Sequence, residues 1–380
     1  MITWRAGTVV AHGAAWAGSL ELRVRTEDGD ELRALAHPGL VGAPAVGERV
    51  LLNVTALARG LGTGGYALVV AAPDSLPQDP PPGPGHLVKA RYTPLQTMVL
   101  GVDEQESAHH EVLREADDLG GLPVVVADLH SALPAVIAGA RHAARRAGHR
   151  APRVVYVMTD GGALPAWFSR TVAGLREADW LEACVTVGQS FGGDLEAVTV
   201  HTGLLAAREV CEADLVVVAQ GPGNLGTGTR WGFSGVAAGE ALNATGVLGG
   251  RPVAALRVSG ADPRERHRGV SHHSLTAYGR VALVPVDVVV PVPPADRAPA
   301  AAPVVVVDDL AALVHEQARG LCAPQGHHRL VEVVADAELL DALGASPVRL
   351  STMGRGLDQD PYAFLAAAVA GVHAADLLSP

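Results

Sequence analysis

At 380 residues the chain has the length of one large or two ordinary domains, enough to bury a full core without disulfides or structural metal. Its 48% hydrophobic and 18% charged residues, with 44 Gly and 26 Pro, exclude a disordered or fibrous protein and describe an ordered one with many tight turns. A formal charge of −11 argues against a whole-molecule grip on nucleic acid or on an anionic membrane, so an anion site must be local.

The first elements are β. Thr8–Val10, Leu20–Arg25, Glu31–Ala36, Arg49–Asn53 and Tyr66–Ala71 are short runs separated by Gly, Asp or Pro turns, and they predict a small β-barrel domain over residues 1–76. Six Arg offset six acidic residues within 1–72, so packing or partner docking is expected of the barrel and nucleic-acid binding is not. Leu61-Gly-Thr-Gly-Gly-Tyr66 reads as a hairpin turn. Residues 77–85, with consecutive prolines, form a stiff connector, which leaves 86–380 as an α/β domain holding the ligand cleft.

Beyond the connector, apolar runs alternate with helical stretches, the pattern of parallel βα units. Strands are predicted at Thr97–Val102, Pro123–Ala127, Arg153–Thr159, Ala183–Val187, Leu215–Ala219, Pro252–Val258, Val304–Val307 and Pro347–Ser351. Helices are predicted at Leu133–Ala147, Pro165–Ala178, Leu195–Glu212, Gly235–Leu248, Leu310–Arg319 and Pro361–Leu378, the last with Asp360 as its N-cap, and Asp296–Pro303 reads as a loop. The fold class is therefore α/β: a three-layer domain with a mostly parallel sheet, preceded by a small N-terminal β barrel. No apolar run approaches the roughly 20 residues of a bilayer span, and the first twenty residues make a poor secretory signal. A cytoplasmic protein is expected, with Cys184, Cys211 and Cys322 as free thiols.

Polar residues gather after the strands: Asp103 to Ser107, Asp128-Leu-His130-Ser131, Thr159-Asp160-Gly161-Gly162, Gly188 to Asp194 with Gln189, Gln220-Gly221-Pro-Gly223-Asn224, and Ser259 to Asp262. The carboxyl edge of a parallel sheet is where α/β proteins hold ligands. Helix capping by Ser131 or Asp194 accounts for single residues but not for three together. Gly221, Gly223 and Gly226 satisfy G-x-G-x-x-G, yet no helix opens after them and no acidic strand end follows, so nicotinamide dinucleotide binding is not expected; Thr227 stands where a Walker loop needs Lys. An anion-cradling loop including Thr227 and Thr229, or a structural Gly-rich turn, remains.

Residues 254–280 hold five Arg, two acidic residues and three His, a local excess of basic charge in an acidic chain. Arg forks suit phosphate or carboxylate, and adjacent His suit proton transfer or metal ligation. The catalytic candidates are His267, His272, His273, Asp160 and Asp194. Ligand-binding candidates are Lys89, Arg91, Asp128, His130, Gln189, Gly221, Gly223, Asn224, Thr227, Thr229, Arg264, Arg268 and Ser271. Lys89, the single Lys among 29 basic residues, is placed near the cleft as a partner of the ligand, Asp160 or Asp194. A divalent metal on Asp128, His130, Asp160, Asp194 and His272 or His273 is an open alternative, although neighbouring His rarely ligate one ion together.

Leu61-Gly-Thr-Gly-Gly-Tyr66, Gly85-His-Leu-Val-Lys-Ala-Arg-Tyr-Thr-Pro94, Met158-Thr-Asp-Gly161, Phe191-Gly-Gly-Asp194, Gly221-Pro-Gly223 with Gly226-Thr-Gly-Thr229, and Arg266-His-Arg-Gly-Val-Ser-His-His273 resemble the bacterial family catalogued as domain of unknown function 3866. The resemblance implies a shared architecture and brings no catalytic set. From the residues, an enzyme is expected, a hydrolase or transferase acting on an anionic phosphorylated or carboxylated small molecule. The alternative is a non-catalytic metabolite-binding or adaptor protein using the same pocket. Neither nucleic acid nor membrane is an expected partner, and a homo-oligomer is left open.

Overall fold

The computed structural model describes residues 1–294, 308–324 and 326–378. Two compact units emerge: Met1–Leu100 with Trp167–Ala173, and Gly101–Ala166 with Gly174–Pro380.

In the first unit, β1 (Trp4–Trp16), β2 (Ser19–Thr26), β3 (Glu31–Ala36), β4 (Arg49–Asn53) and β5 (Ala67–Ala71) close into a barrel in the order β1-β2-β3-β5-β4, with a one-turn helix, α1 (Pro38–Val41), after β3. β3 and β5 run parallel and the remaining pairs antiparallel, a Greek-key order. Period-two alternation turns Leu22, Val24, Ala34, Val50, Leu52 and Val69 inward as the barrel core. Residues 167–173 lie against it: Trp16 Nε1 and Ser19 Oγ each donate to the Trp167 carbonyl at 2.7 Å. Gly18, at φ 73°, lies beneath the Trp167 ring, where a Cβ would collide with the indole. β6 (Leu87–Lys89) and β7 (Thr97–Val99) form a separate hairpin. The strand expected over Thr97–Val102 is thus shorter and belongs to this hairpin, so the Asp103 to Ser107 cluster does not follow a strand of the main sheet. The first unit correspondingly runs to Leu100, past the 77–85 connector.

The second unit is built on eight parallel strands: β8 (Pro123–Ala127), β9 (Val154–Thr159), β10 (Ala183–Thr186), β11 (Leu195–Glu196), β12 (Leu215–Gln220), β13 (Arg251–Ala255), β16 (Asp287–Val292) and β17 (Arg329–Val334). Two short strands, β14 (Val258–Ser259) and β15 (Gly269–Val270), pair with each other outside it. The sheet order is β11-β10-β9-β12-β8-β13-β16-β17. The chain enters at β8, moves outward to β9 and β10, returns with β12 into the gap beside β8, and crosses to β13. The helices are α2 (His110–Leu113), α3 (Leu133–Arg146), α4 (Arg170–Glu177), whose residues to Ala173 count with the first unit, α5 (Val200–Glu209), α6 (Ala237–Val247), α7 (His272–Thr276), α8 (Asp308–Cys322), α9 (Ala337–Gly344) and α10 (Pro361–Asp376). α3, α9 and α10 pack together on one face, and α5, α6 and α8 cover the other. Gly139 of α3 and Gly371 of α10 allow the closest approach, because a Cβ at either would strike the facing helix's backbone carbonyl, Ala368 or Val136. β8 thus sends its chain to one face while its neighbours β12 and β13 send theirs to the other, which opens the sheet edge at the end of β8, the topological switch point.

Several expectations are corrected here. Pro347–Ser351 is not a sheet strand; only Ser351–Thr352 (β18) pairs, antiparallel, with Arg355–Gly356 (β19). The last two strands of the main sheet are β16 and β17, and Val304–Val307 and Asp296–Pro303 lie outside the described residues. Leu195–Glu212 divides into β11 and α5. Asp360 makes no side-chain cap; Arg355, Ser259 and the Gly260 amide take its carboxylate instead. Cys184, Cys211 and Cys322 are free. Among the described residues, no helix is long and apolar enough to cross a membrane.

Candidate functional site

The carboxyl end of β8 places Asp128 in the switch-point crevice. Its side chain is buried; burial pushes the carboxyl up to about 6, and the charge of Arg257, just past β13, works in the opposite direction. Gln220, ending β12, donates Nε2 to the Asp128 carbonyl at 2.8 Å. Asp128 Oδ2 has no hydrogen-bond partner and lies 3.7 Å from His273 Nδ1. Arg257 Nη1 reaches the same His273 nitrogen at 3.0 Å.

His273 belongs to a cluster assembled by a tight local path. Ser271 caps α7 by accepting from the His273 amide, and the same Oγ lies 2.8 Å from His267 Nδ1. His267 is thereby turned toward the start of α7. Ring centroids of His267 and His272 are 5.0 Å apart, of His267 and His273 5.1 Å, and of His272 and His273 4.3 Å. Phe233, after the glycine loop, stacks on His273 at 3.9 Å, so the glycine segment and the Arg/His segment meet. Burial first, then the charge of Arg257, holds His267 and His273 down at about 3, and burial with Arg266 lowers His272, so the three imidazoles are neutral at physiological pH.

Around this cluster the buried charges are matched. Asp262 takes Arg264 at 2.8 Å and Arg355 at 3.2 Å, and Asp360 takes Arg355 at 3.2 Å. Outward from His272, however, a cleft of about 940 Å³ is lined by Arg230, Trp231, Arg266 and Arg280, together with Gln317 of α8. None of these three Arg forms an ion pair among the described residues. Arg230, Trp231 and Arg280 are residues that sequence reasoning missed. Arg230-Trp231 directly follows the glycine loop, and Arg280 ends the Arg-rich stretch 254–280; these are the local signals for them.

The remaining candidates of the second unit do not gather in one concavity. Asp194 pairs with Arg176 at 3.1 Å and accepts from the Cys184 amide at 2.8 Å, at the start of β10, hence at the amino edge. The reason is the parallel pairing of β11 with β10, which makes the chain double back through Gly192 and Gly193 first. Asp160 is at the carboxyl edge, but its carboxylate accepts from the Gln189 amide at 2.9 Å, not from Arg264 or Arg268. Arg264 is committed to Asp262, and Arg268 is exposed. His130 lies 3.0 Å from the Tyr156 hydroxyl, and burial holds it down to about 4. Lys89 is buried in β6 of the first unit, and Arg91 there lies over the Tyr92 ring.

The glycine loop is tied to itself. Thr227 N donates to the Gly232 carbonyl at 2.7 Å, Leu225 N to Ser234 Oγ at 3.1 Å, and Thr227 and Thr229 bond through their hydroxyls. Ser234 Oγ in turn donates to Asn224 Oδ1 at 2.9 Å. Gly221 is required because a Cβ there would strike the Ala163 carbonyl, and Gly223 takes φ 97°. These bonds spend the amides of Leu225 and Thr227 on loop structure, so neither of these two amides is open to an anion.

Fold and site together define a two-unit protein, a closed barrel and a doubly wound α/β unit, whose polar centre lies at a switch point. A family model described as "Protein of unknown function (DUF3866)" matches residues 33–371, and the chain belongs to that family. No curated protein and no solved structure matches it.

Proposed function

We propose that the second unit is an enzyme, a hydrolase or transferase, that takes a small phosphorylated or carboxylated molecule into the cleft beside the imidazole cluster. The observation that carries this reading is the cleft wall, where Arg230, Arg266 and Arg280 face about 940 Å³ of open volume without an ion-pair partner among the described residues. A concave wall of uncompensated guanidinium groups focuses positive potential and suits a planar or tetrahedral anion. His272 lines the same cleft, and a neutral imidazole cluster with a buried carboxylate is more than anion binding requires.

One observation favours the second reading, a non-catalytic metabolite-binding protein. Beside Asp128 the spaces hold only about 30 and 10 Å³, room for a water and not for a reacting group. The test is calorimetric titration of the full chain with pyrophosphate and citrate, followed by a screen for turnover of phosphate esters. Saturable binding that weakens about tenfold or more in Arg266→Ala and in Arg280→Ala is expected, from the usual worth of a charge-assisted hydrogen bond. Turnover lost in His272→Ala with binding retained supports the enzyme; binding with no turnover in any variant supports the second reading. No saturable binding, or binding indifferent to the Arg changes, overturns both.

A further inference from the structure

We propose that His267, His272 and His273 form a binding site for one divalent transition-metal ion such as zinc or cobalt. This goes beyond the anion reading and does not depend on it. One ligand nitrogen from each ring lies within 4.8 Å of the other two, and this is the one group of three or more His, Cys, Asp or Glu side chains among the described residues that converges so. Zinc–nitrogen bonds of about 2.1 Å set tetrahedral ligand nitrogens roughly 3.4 Å apart, so small side-chain rotations close the site.

Two unpartnered polar atoms point the same way. His272 Nε2 is buried with no hydrogen-bond partner, an arrangement that costs free energy unless something accepts its lone pair or its proton. Asp128 Oδ2 is equally without a partner and stands 3.7 Å from His273 Nδ1. A carboxylate behind an imidazole is the arrangement that orients a metal-binding His and raises its basicity. Ser271 supplies the corresponding support to His267 by occupying its Nδ1 at 2.8 Å, which leaves Nε2 as the ligand atom. In the metal-free state Arg257 donates to His273 Nδ1 at 3.0 Å. Loading through Nε2 requires that Nδ1 carry the proton, so it turns from Arg257 to Asp128.

Ligand chemistry narrows the ion. Three neutral nitrogens without a carboxylate in the set suit zinc, cobalt, nickel or copper and not magnesium or calcium. The adaptation that makes adjacent His side chains usable is the placement of both at the first turn of α7, with Ser271 holding the cap, which brings their rings to 4.3 Å. His272 also lines the Arg-walled cleft.

The test uses the untagged full chain, stripped with chelator and titrated with Co²⁺ alone and with Zn²⁺ alone. One equivalent is expected, with the visible absorption of nitrogen-ligated cobalt. His267→Gln, His272→Gln and His273→Gln should each weaken Co²⁺ by about 100-fold, Ser271→Ala by about tenfold. His201→Gln, on the exposed side of α5, should leave it unchanged. Should a variant fail to fold, histidine ring ¹⁵N shifts of the unaltered chain on adding Zn²⁺ decide: movement of three His resonances supports the site. No stoichiometric uptake, uptake indifferent to His267→Gln and His272→Gln, or unmoved ring shifts overturns it. Pyrophosphate titration of the metal-free chain reads the cleft separately, so a failed anion site and a failed metal site are distinguishable.

Discussion

The barrel and the α/β unit handle charge in opposite ways. On the barrel, Arg23 and Arg25 share Glu31 at 2.9 Å each, Arg33 meets Glu21 at 3.1 Å and Arg49 meets Glu27 at 3.7 Å, with the guanidinium groups about half exposed. In the α/β unit, Asp128, Asp262 and Asp360 are buried at the sheet edge and each has a guanidinium beside it. Exposed pairs contribute little and leave the surface nearly neutral, whereas a buried charge demands its partner. The guanidinium groups named on the barrel strands are thus paired, whereas Arg230, Arg266 and Arg280 at the cleft have no ion-pair partner among the described residues.

The strongest way to break this contrast is Asp128→Ala. It takes one of two nearby counter-charges from the half-buried Arg257, leaving it Asp262, and urea unfolding should show a loss of about 2–3 kcal/mol. The double variant Asp128→Leu, Arg257→Met should recover most of that loss; a single-variant cost below about 1 kcal/mol would show that the pair is effectively solvated.

An acid titration sharpens the comparison at a half-buried carboxylate of the α/β unit. Asp287, at the start of β16, accepts from Arg329 and from His373 at 2.5 and 2.7 Å, and although burial opposes it these bonds hold the carboxyl down to about 2. Because the folded value lies below the unfolded 3.8, the stabilisation is fully present above about pH 4 and is lost as pH falls toward 2. It amounts to about 2 kcal/mol. Stability followed by circular dichroism between pH 5 and 2 should fall less steeply in Asp287→Asn, and an unchanged slope would remove Asp287 from the account.

At the small end, Arg23→Ala on the barrel should change stability by no more than about 0.5 kcal/mol and leave pyrophosphate binding untouched. A larger effect, or a weakened ligand, would mean that the barrel surface is not the compensated face its ion pairs describe.

Much of the architecture was legible in the residues. Pro123–Ala127 and Leu215–Gln220 are buried along their whole length, and uninterrupted Val-rich runs of that kind are the mark of central parallel strands. β17 was not legible, since its residues alternate between exposed and half-buried at the sheet edge and give no such run. β11, two residues long, exists only because β10 offers it a ladder. Of the site, the Arg266 to His273 segment announced itself by composition, but its partners did not. Asp194 and Asp160 followed strands as His267 did, and nothing in their spacing told an amino edge from a carboxyl edge.

By itself the sequence determined the two kinds of unit and the concentration of Arg and His over residues 254–280, because periodicity, turn chemistry and local charge are properties of neighbouring residues. Only the tertiary structure decided that Asp128 stands behind His273, that Phe233 stacks on that ring, and that Arg230 and Arg280 share a wall with Arg266. Those contacts join residues from different strand ends, and which ends become neighbours is set by the return of β12 beside β8, a choice of sheet order that local sequence pattern does not encode.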